Sequence, residues 1–478
     1  MNIGDLEYLL KEAFPYTPTT SQEGLLHAFS RFLWSPKPKC ALLIKGYAGT
    51  GKTTVTGTIV QVLKSLDIDV VLMAPTGRAA KVLSSFAHAP AYTIHKTIYM
   101  GKTEGGGMDF SLGFNRRRNA LFVVDEASMI GEATASQDDY RDLLDDMMAY
   151  VFAGEGCRLL LIGDGAQLPP VGTTDSPALR TTHLSERFDL TMAEIELKEV
   201  VRQEIDSGIL LNANILRHHL MSKTPGFPTL QMEGFSDIKR VEGSELHELL
   251  EDLYGKHGQE GVCVITRSNK RANLFNQQIR NRILWQEEEL SGGDMIMVVR
   301  NNYHWLMDYK DAPTPFLANG DALEIEKVGR HYEQYGLRFA DVTVRLADYP
   351  EYPSIEMRVM LDVLMHDQAN LGMEAQRRFY DAVAEDYLHL GSRRKIHEAV
   401  SKDPFYNAVQ IKFAYAVTCH KSQGGQWPAV VVDQGYLTEE MLDESLLRWF
   451  YTAFTRAQSS LYLLNFAPEF FSDAAGEK

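Results

Sequence analysis

Apolar runs of strand length alternate with segments of helical period over the first 175 or so residues. "KCALLIKG" reads as a buried strand and is followed by a helix from Lys52 to about Leu66. "DVVLMAPT" is a second strand, succeeded by a helix rich in Ala, Lys and Leu, and "ALFVVDEA" and "CRLLLIGD" are further runs of the same kind. Strands that are apolar throughout, rather than at every second position, predict a parallel sheet covered by helices on both faces. The alternation returns at "EGVCVITRSN", "YAVTCHKSQ", "PAVVVDQG" and "SSLYLLNF". Two doubly wound α/β units are therefore expected.

Two segments break this rhythm. Thr97 to Asn119 is Gly-rich and lacks helical period; "IYMGK" and "MDFSLGF" flank "TEGGG", which predicts a hairpin with a loose tip. Asp294 to about Val363 carries four β-like runs separated by Asn, Gly and Pro, the pattern of a small barrel inserted into the second unit. The stretch from Asp367 to Val400 is helical in pattern and strongly charged.

Composition narrows the class. The chain has 478 residues, 45% hydrophobic and 23% charged, as expected of a soluble globular protein with two to four domains. "MNIGDLEYLL" has neither a basic start nor a long apolar run, so no signal peptide is expected, and no apolar stretch approaches the ~18 residues that span a bilayer. Cys40, Cys157, Cys263 and Cys419 are too scattered for a metal motif or a disulfide framework, and a reducing cytoplasm is the expected compartment. The net charge of −16 argues against a generally nucleic-acid-binding surface, although a local basic groove can sit on an acidic body.

Chemistry enters with "GYAGTGKT", Gly46 to Thr53, which has the G-x-x-x-x-G-K-[ST] spacing between a strand and a helix. Its glycines let backbone N–H groups wrap phosphates at a helix N-terminus. Lys52 would reach the β- and γ-phosphates of ATP, and the Thr53 hydroxyl would ligate Mg²⁺. "LFVVDEAS" ends a strand on Asp125 and Glu126, one carboxylate to hold Mg²⁺ and a second to polarise water, which points to a hydrolase. Further polar clusters end apolar runs at "APTGRAAKVL", "LIGDGAQLPPV", "TCHKSQGGQW" and "YTAFTRA", with "LKEVVRQ" just after the first sheet. Ligands of open α/β sheets bind beyond the carboxyl ends of strands, so one crevice could collect them all.

In order and spacing these segments resemble the motifs of superfamily 1B helicases, the RecD-like and Dda-like branch, from Gln22 to Arg456. The resemblance implies two RecA-like domains, 1A (1–96 and 120–195) and 2A (196–290 and 408–478). It also implies a 1B pin hairpin (97–119) and a 2B domain (291–407) made of an SH3-like barrel plus the helical segment. It implies an ATP- and Mg²⁺-dependent DNA helicase that moves 5′→3′ on single-stranded DNA and acts on single-strand/duplex junctions as a monomer. The alternative is a DNA-stimulated ATPase that remodels protein–DNA complexes without processive unwinding. Carried over by residue, Gln22 reads adenine, and Gly46, Ala48, Gly49, Thr50, Gly51, Lys52, Thr53, Thr54 and Gly425 surround the nucleotide. Thr53 and Asp125 hold the metal, Glu126 activates water, Gln167 senses the γ-phosphate, and Arg202 and Arg456 are arginine fingers. Pro75, Thr76, Arg78, His95, Phe114, Thr418, His420 and Lys421 are the expected strand contacts, with Tyr92, Phe114 and Trp427 as stacking candidates and Arg116 to Arg118 as positive charge beside the pin.

Overall fold

The computed structural model describes all residues except 1–2, 105–106, 133–141, 200–205, 225, 308, 310–311, 313–315 and 472–478, and of 101–110 only the backbone. Helices α1 (Ile3–Glu12) and α2 (Thr20–Leu33) precede the first sheet. That sheet is built from β1 (Cys40–Gly46), β2 (Val70–Ala74), β3 (Ala91–Thr93), β6 (Leu121–Val124), β7 (Arg158–Gly163) and β8 (Thr191–Leu197). All are parallel, in the order β3-β2-β6-β7-β1-β8. β1 and β6 are buried along nearly their whole length, as their unbroken apolar runs require. Helices α3 (Lys52–Ser65) and α4 (Gly77–Ala87) pack on one face; α5 (Ile94–Ile98), α6 (Leu143–Ala153) and α7 (Thr181–Phe188) complete the unit. β3 and β8 are additions to the four strands read from the sequence. β3 is three residues long, and β8 is an edge strand whose "TMAEIEL" is half polar, so neither makes a buried apolar run.

Between α5 and β6 the strands β4 (Tyr99–Glu104) and β5 (Gly107–Leu112) pair antiparallel from Tyr99↔Leu112 to Glu104↔Gly107. This is the expected hairpin, with its turn outside the described residues.

The second parallel sheet has the order β16-β10-β17-β18-β9, from β9 (Ile238–Val241), β10 (Val262–Thr266), β16 (Ala416–Thr418), β17 (Trp427–Asp433) and β18 (Ala457–Leu464). Helices α8 (Gly208–Ser222), α9 (Leu246–His257) and α10 (Asn269–Arg282) belong to this unit, as do α13 (Cys419–Ser422) and α14 (Glu444–Phe454). Inserted after α10 is a closed barrel of β11 (Met295–Val298), β12 (Ala322–Gln334), β13 (Leu337–Leu346), β14 (Ile355–Met360) and β15 (Val409–Phe413). Helices α11 (Met373–Asp386) and α12 (Arg393–Val400) cover the barrel through Phe379, Val383 and Val400, which pack near Phe339. The molecule is α/β, two RecA-like sheets with a hairpin and a small barrel inserted. Among the described residues no helix is long and apolar enough to cross a membrane.

One boundary differs from the expectation. Domain 2A is expected to resume at residue 408, but β15 (Val409–Phe413) closes the barrel and the parallel sheet resumes only at β16 (Ala416–Thr418). The chain changes partners at Ala414–Tyr415: the Ala414 N–H donates to Met295 O in the barrel (2.9 Å), and Tyr415 O accepts from Val264 in the sheet (3.0 Å). Runs this short cannot reveal which of two sheets buries them.

Candidate nucleotide and strand sites

The phosphate loop follows β1 and opens α3. Gly49 and Gly51 have φ of 74° and 79°, the left-handed conformation that favours glycine. The loop is wound tightly enough that a Cβ on Gly46 would come 2.8 Å from Thr50 Oγ1 and 2.9 Å from Lys52 Cγ. Lys52 Nζ donates to the carbonyls of Gly46 (2.6 Å) and Tyr47 (2.8 Å) and lies 3.8 Å from Asp164 Oδ2. Thr53, in the first turn of α3, makes no side-chain hydrogen bond among the described residues, which leaves its hydroxyl available to a metal. Gln22 is 3% exposed and braces the loop: its amide donates to Thr50 O (3.1 Å) and accepts from Thr19 N (2.9 Å) in the capping box of α2.

Asp125 and Glu126 lie at the carboxyl end of β6, across from the loop. Burial, then the neighbouring Glu126 charge, pushes the Asp125 carboxyl up to about 6; the Glu126 N–H, donating to Asp125 Oδ1 at 2.8 Å, and Lys52 pull the other way. A buried carboxylate beside a second one favours a divalent cation, so the donor set suits Mg²⁺. Glu126 has φ 53°, a left-handed conformation unfavourable for a residue with a side chain, of the kind that collects at functional sites.

The second unit reaches into this pocket from α14. Tyr451 accepts from the Ala48 N–H (2.8 Å) and donates to Asp164 Oδ2 (2.6 Å), while Thr452 Oγ1 accepts from the Leu168 N–H (2.8 Å). Arg448 donates to the carbonyls of Gly165 and Gln167. Arg456, buried, lies 4.0 Å from Glu126 Oε1 and donates to Thr452 O (3.0 Å) and Gly425 O (3.3 Å). Gln167 presents a buried Oε1 without a partner, beside the equally unpartnered Ser128 Oγ. Both line a cavity of about 370 Å³ with Asp164, Tyr47 and Arg448. Arg202 lies outside the described residues.

A second cavity, of about 640 Å³, collects Thr76, Arg78, Thr418, His420 and Lys421 against the barrel. Thr76 caps α4 by accepting from the Ala79 N–H (3.2 Å), directly after Pro75. Arg78 lies flat on the Trp427 ring, 4.5 Å from its centroid, and its Nε is 3.9 Å from Asp348 Oδ1. Burial, and then Lys412, lowers Lys421 to about 8; burial also lowers His420. Gly424, at φ 72°, passes so close to α4 that a Cβ there would meet Thr76 Oγ1 at 2.9 Å.

The loop from Thr418 to Trp427 lines the second cavity and is bonded to Leu168, which lines the first. Its Gln423 donates to Leu168 O (2.7 Å), and its Gly425 carbonyl takes the bond from Arg456.

Comparison with known proteins agrees with this layout. Residues 27–223 match a family described as AAA domain, and residues 413–464 one described as UvrD-like helicase C-terminal domain. Curated relatives include the ATP-dependent RecD2 DNA helicase of Deinococcus radiodurans. It is 31% identical over 302 residues, covering 60% of this chain and 38% of the relative. The ATP-dependent DNA helicase dda of Enterobacteria phage T4 is 23% identical, covering 84% of this chain and 90% of that one. Over these segments the chain is similar to ATP-dependent DNA helicases. It spans only 38% of the length of the RecD2 relative. A crystal structure of the Pif1 helicase from Bacteroides in complex with ADP-AlF3 and ssDNA overlays with a TM-score of 0.47 at 15% identity, covering 95% of this chain and 94% of that one.

Three sequence expectations change. His95 does not face the strand cavity; it packs edge-on against Phe316 (5.4 Å) and beside Tyr99 (5.7 Å), and burial lowers it to about 4, so it is neutral. Trp427 is 5% exposed and belongs to the second core, presenting only the face that Arg78 covers. Arg117 pairs with Asp69 and Arg118 with Glu155, so two of the three arginines have acidic partners on the body. Phe114 is 74% exposed and Tyr92 39%, the latter with Lys96 Nζ over its ring at 4.4 Å. The sequence reading missed Tyr451 and Arg448, and also the start of α10, where Arg267, Ser268, Asn269 and Lys270 line the strand cavity. "TRSNK" after a buried strand was the available signal.

Proposed function

We propose that the chain is an ATP-dependent DNA helicase that moves 5′→3′ along single-stranded DNA and unwinds duplex at single-strand/duplex junctions, as a cytoplasmic monomer. The observation that carries this reading is the loop at 418–427. It supplies Thr418, His420 and Lys421 to the strand cavity while bonding the nucleotide side through Gln423 and Gly425. Any change in how the two units meet at the nucleotide is therefore transmitted to the grip on the strand.

In this reading the nested N–H groups from Gly49 to Thr53 and the Lys52 ammonium receive the phosphates. Mg²⁺, bound by Thr53 and Asp125, would offset charge on the β- and γ-phosphates. Glu126 takes the proton of the attacking water, and Arg456, already within 4.0 Å of Glu126, turns its guanidinium to the γ-phosphoryl group, as does Arg202. Gln167, with its free Oε1, orients the same region. Gln22 acts by bracing the phosphate loop, with adenine reading left to the unused N–H and lone pair of its amide. Domain 1A ends after β8, and 2A and 2B share the 409–418 run. Phe114 is the favoured base platform because it is the most exposed of the candidate rings.

The test is unwinding of duplexes bearing a 5′ or a 3′ single-stranded tail, as DNA and as RNA, with wild type and a hairpin-tip deletion of residues 104–107. The expected result is ATP-dependent unwinding of the 5′-tailed DNA that the deletion abolishes while strand-stimulated hydrolysis survives. Strand-stimulated hydrolysis without unwinding by wild type would instead support the remodelling ATPase, and hydrolysis indifferent to any strand would overturn both.

A further inference from the structure

One cation at the cleft has no role in the reading above. Arg217 projects from α8 of the second unit onto Tyr47, the second residue of the phosphate loop, with its guanidinium 4.4 Å from the ring centroid. Tyr47 is itself fixed, because its hydroxyl donates to Glu196 Oε1 at 2.8 Å. The charge of Arg217 is felt by both Tyr47 and Tyr451. Yet the carboxylates around that cluster have other partners: Glu196 takes the Tyr47 hydroxyl and pairs with Lys198 Nζ at 3.3 Å. Asp164 takes the Ala166 N–H (2.9 Å) and the Tyr451 hydroxyl (2.6 Å) and faces Lys52. Arg217 Nη1 is buried and has no hydrogen-bond partner among the described residues.

A guanidinium stacked on a ring by its face keeps its N–H donors in the plane, aimed past the edge of the ring. A buried, unmet N–H of a charged group is costly, and such a group is retained where an acceptor arrives in another state. The anion this cleft is built to receive is a nucleotide phosphate, one residue along the loop from Tyr47. We infer that Arg217, oriented by Tyr47, is a further γ-phosphate-reading arginine, contributed by the second unit only when a nucleoside triphosphate closes the cleft. This rests on the ATPase reading. It makes Arg217 a discriminator of triphosphate from diphosphate and Tyr47 its positioning residue.

The experiment is calorimetric titration of the full-length chain with ADP and with a β,γ-imido ATP analogue, both with Mg²⁺ and single-stranded DNA. Wild type is compared with Arg217→Gln, Arg217→Lys and Tyr47→Leu. Loss of one hydrogen bond to a charged group corresponds to ~10–100-fold, so Arg217→Gln should weaken the triphosphate analogue by about that factor and leave ADP within about twofold. Arg217→Lys keeps the charge but loses the fork and should lie between, as should Tyr47→Leu. Equal weakening of both nucleotides, or of neither, overturns the inference while wild-type binding leaves the ATPase reading intact. Failure of wild type to bind either nucleotide removes both. Should Arg217→Gln not fold, the charge-retaining Arg217→Lys decides by the same ratio.

Discussion

The Tyr451 hydroxyl, on the last helix of the second unit, donates to Asp164 Oδ2 of the first at 2.6 Å while accepting from the Ala48 N–H. This hydroxyl joins the two sheets at the phosphate loop. Replacing Tyr451 by Phe removes the partner of the half-buried Ala48 N–H and of a buried carboxylate oxygen, a cost of ~1–3 kcal/mol. Tyr451→Phe should therefore lower the thermal midpoint in the absence of nucleotide and speed amide exchange at Ala48. Unchanged exchange would show that the bridge does not hold the loop.

Glu126 and Arg456 face each other at 4.0 Å across the cleft. With Glu126 as the base, Glu126→Gln should bind ATP with near wild-type affinity and hydrolyse it ~10²–10⁴-fold more slowly. Single-turnover hydrolysis separates the two quantities. Normal turnover by this variant would remove Glu126 from the role.

Much of this was legible in the sequence because it is local. The phosphate loop, the strand-end Asp125–Glu126 pair and the hairpin are each contained in fewer than twenty residues, with strand, turn and helix signals adjacent. What was not legible depends on partners far along the chain. "TIHK" presents a polar His95, but Phe316, more than 200 residues later, packs edge-on against its ring. Arg117 and Arg118 look like free charge until Asp69 and Glu155 fold beside them. Tyr451 reads as an apolar helix residue, and only the fold brings Ala48 and Asp164 to its hydroxyl. The same holds for the stretch from Val409 to Thr418, where the change from barrel to parallel sheet depends on which distant strands fold beside each half.

If the strand cavity binds DNA as proposed, Lys421 makes that binding depend on pH. Burial and Lys412 lower its pKa to about 8, whereas a bound phosphate would favour the protonated form. Binding should thus take up a proton near pH 8, and affinity for an oligonucleotide should fall as pH rises from 7 to 9. Lys421→Met should bind more weakly at pH 7 and lose most of this dependence. Fluorescence anisotropy at three pH values is sufficient, and an equal slope in the variant would place the titration elsewhere.

Asp321 makes stability depend on pH in a definite direction. Burial, and secondarily Asp348, raises its carboxyl to about 7, against the pull of the Ala318 N–H. Its folded pKa exceeds the unfolded value of 3.8, so its contribution to stability is complete below about pH 4 and is lost as pH rises through 7. Asp321→Asn keeps the acceptor for Ala318 and removes the titration. Relative to wild type it should gain stability between pH 5 and 8 in denaturant melts; a parallel pH profile would contradict this.

Asp348 lies beside Arg78 and the start of α4, two of the expected strand contacts. It and Asp321, both from the barrel, lie so near the start of α4 that a Cβ on Gly77 would be 3.4 and 3.5 Å from their oxygens. Asp348 is also 3.9 Å from Arg78 Nε, and Lys81 donates to Ala347 O at 3.4 Å. A helix N-terminus with an arginine beside it favours one anion, and here the barrel provides it. A strand that binds at Thr76 and Arg78 must displace this contact. Asp348→Asn weakens the competing anion without changing the size of the side chain, so single-stranded DNA should bind several-fold tighter at low salt, with the gain shrinking as salt screens the exchange. Arg78→Gln in the same background should cancel the gain, because the cation released by the first substitution is then gone. A gain that persists without Arg78 would mean that Asp348 acts only through the net charge of the barrel.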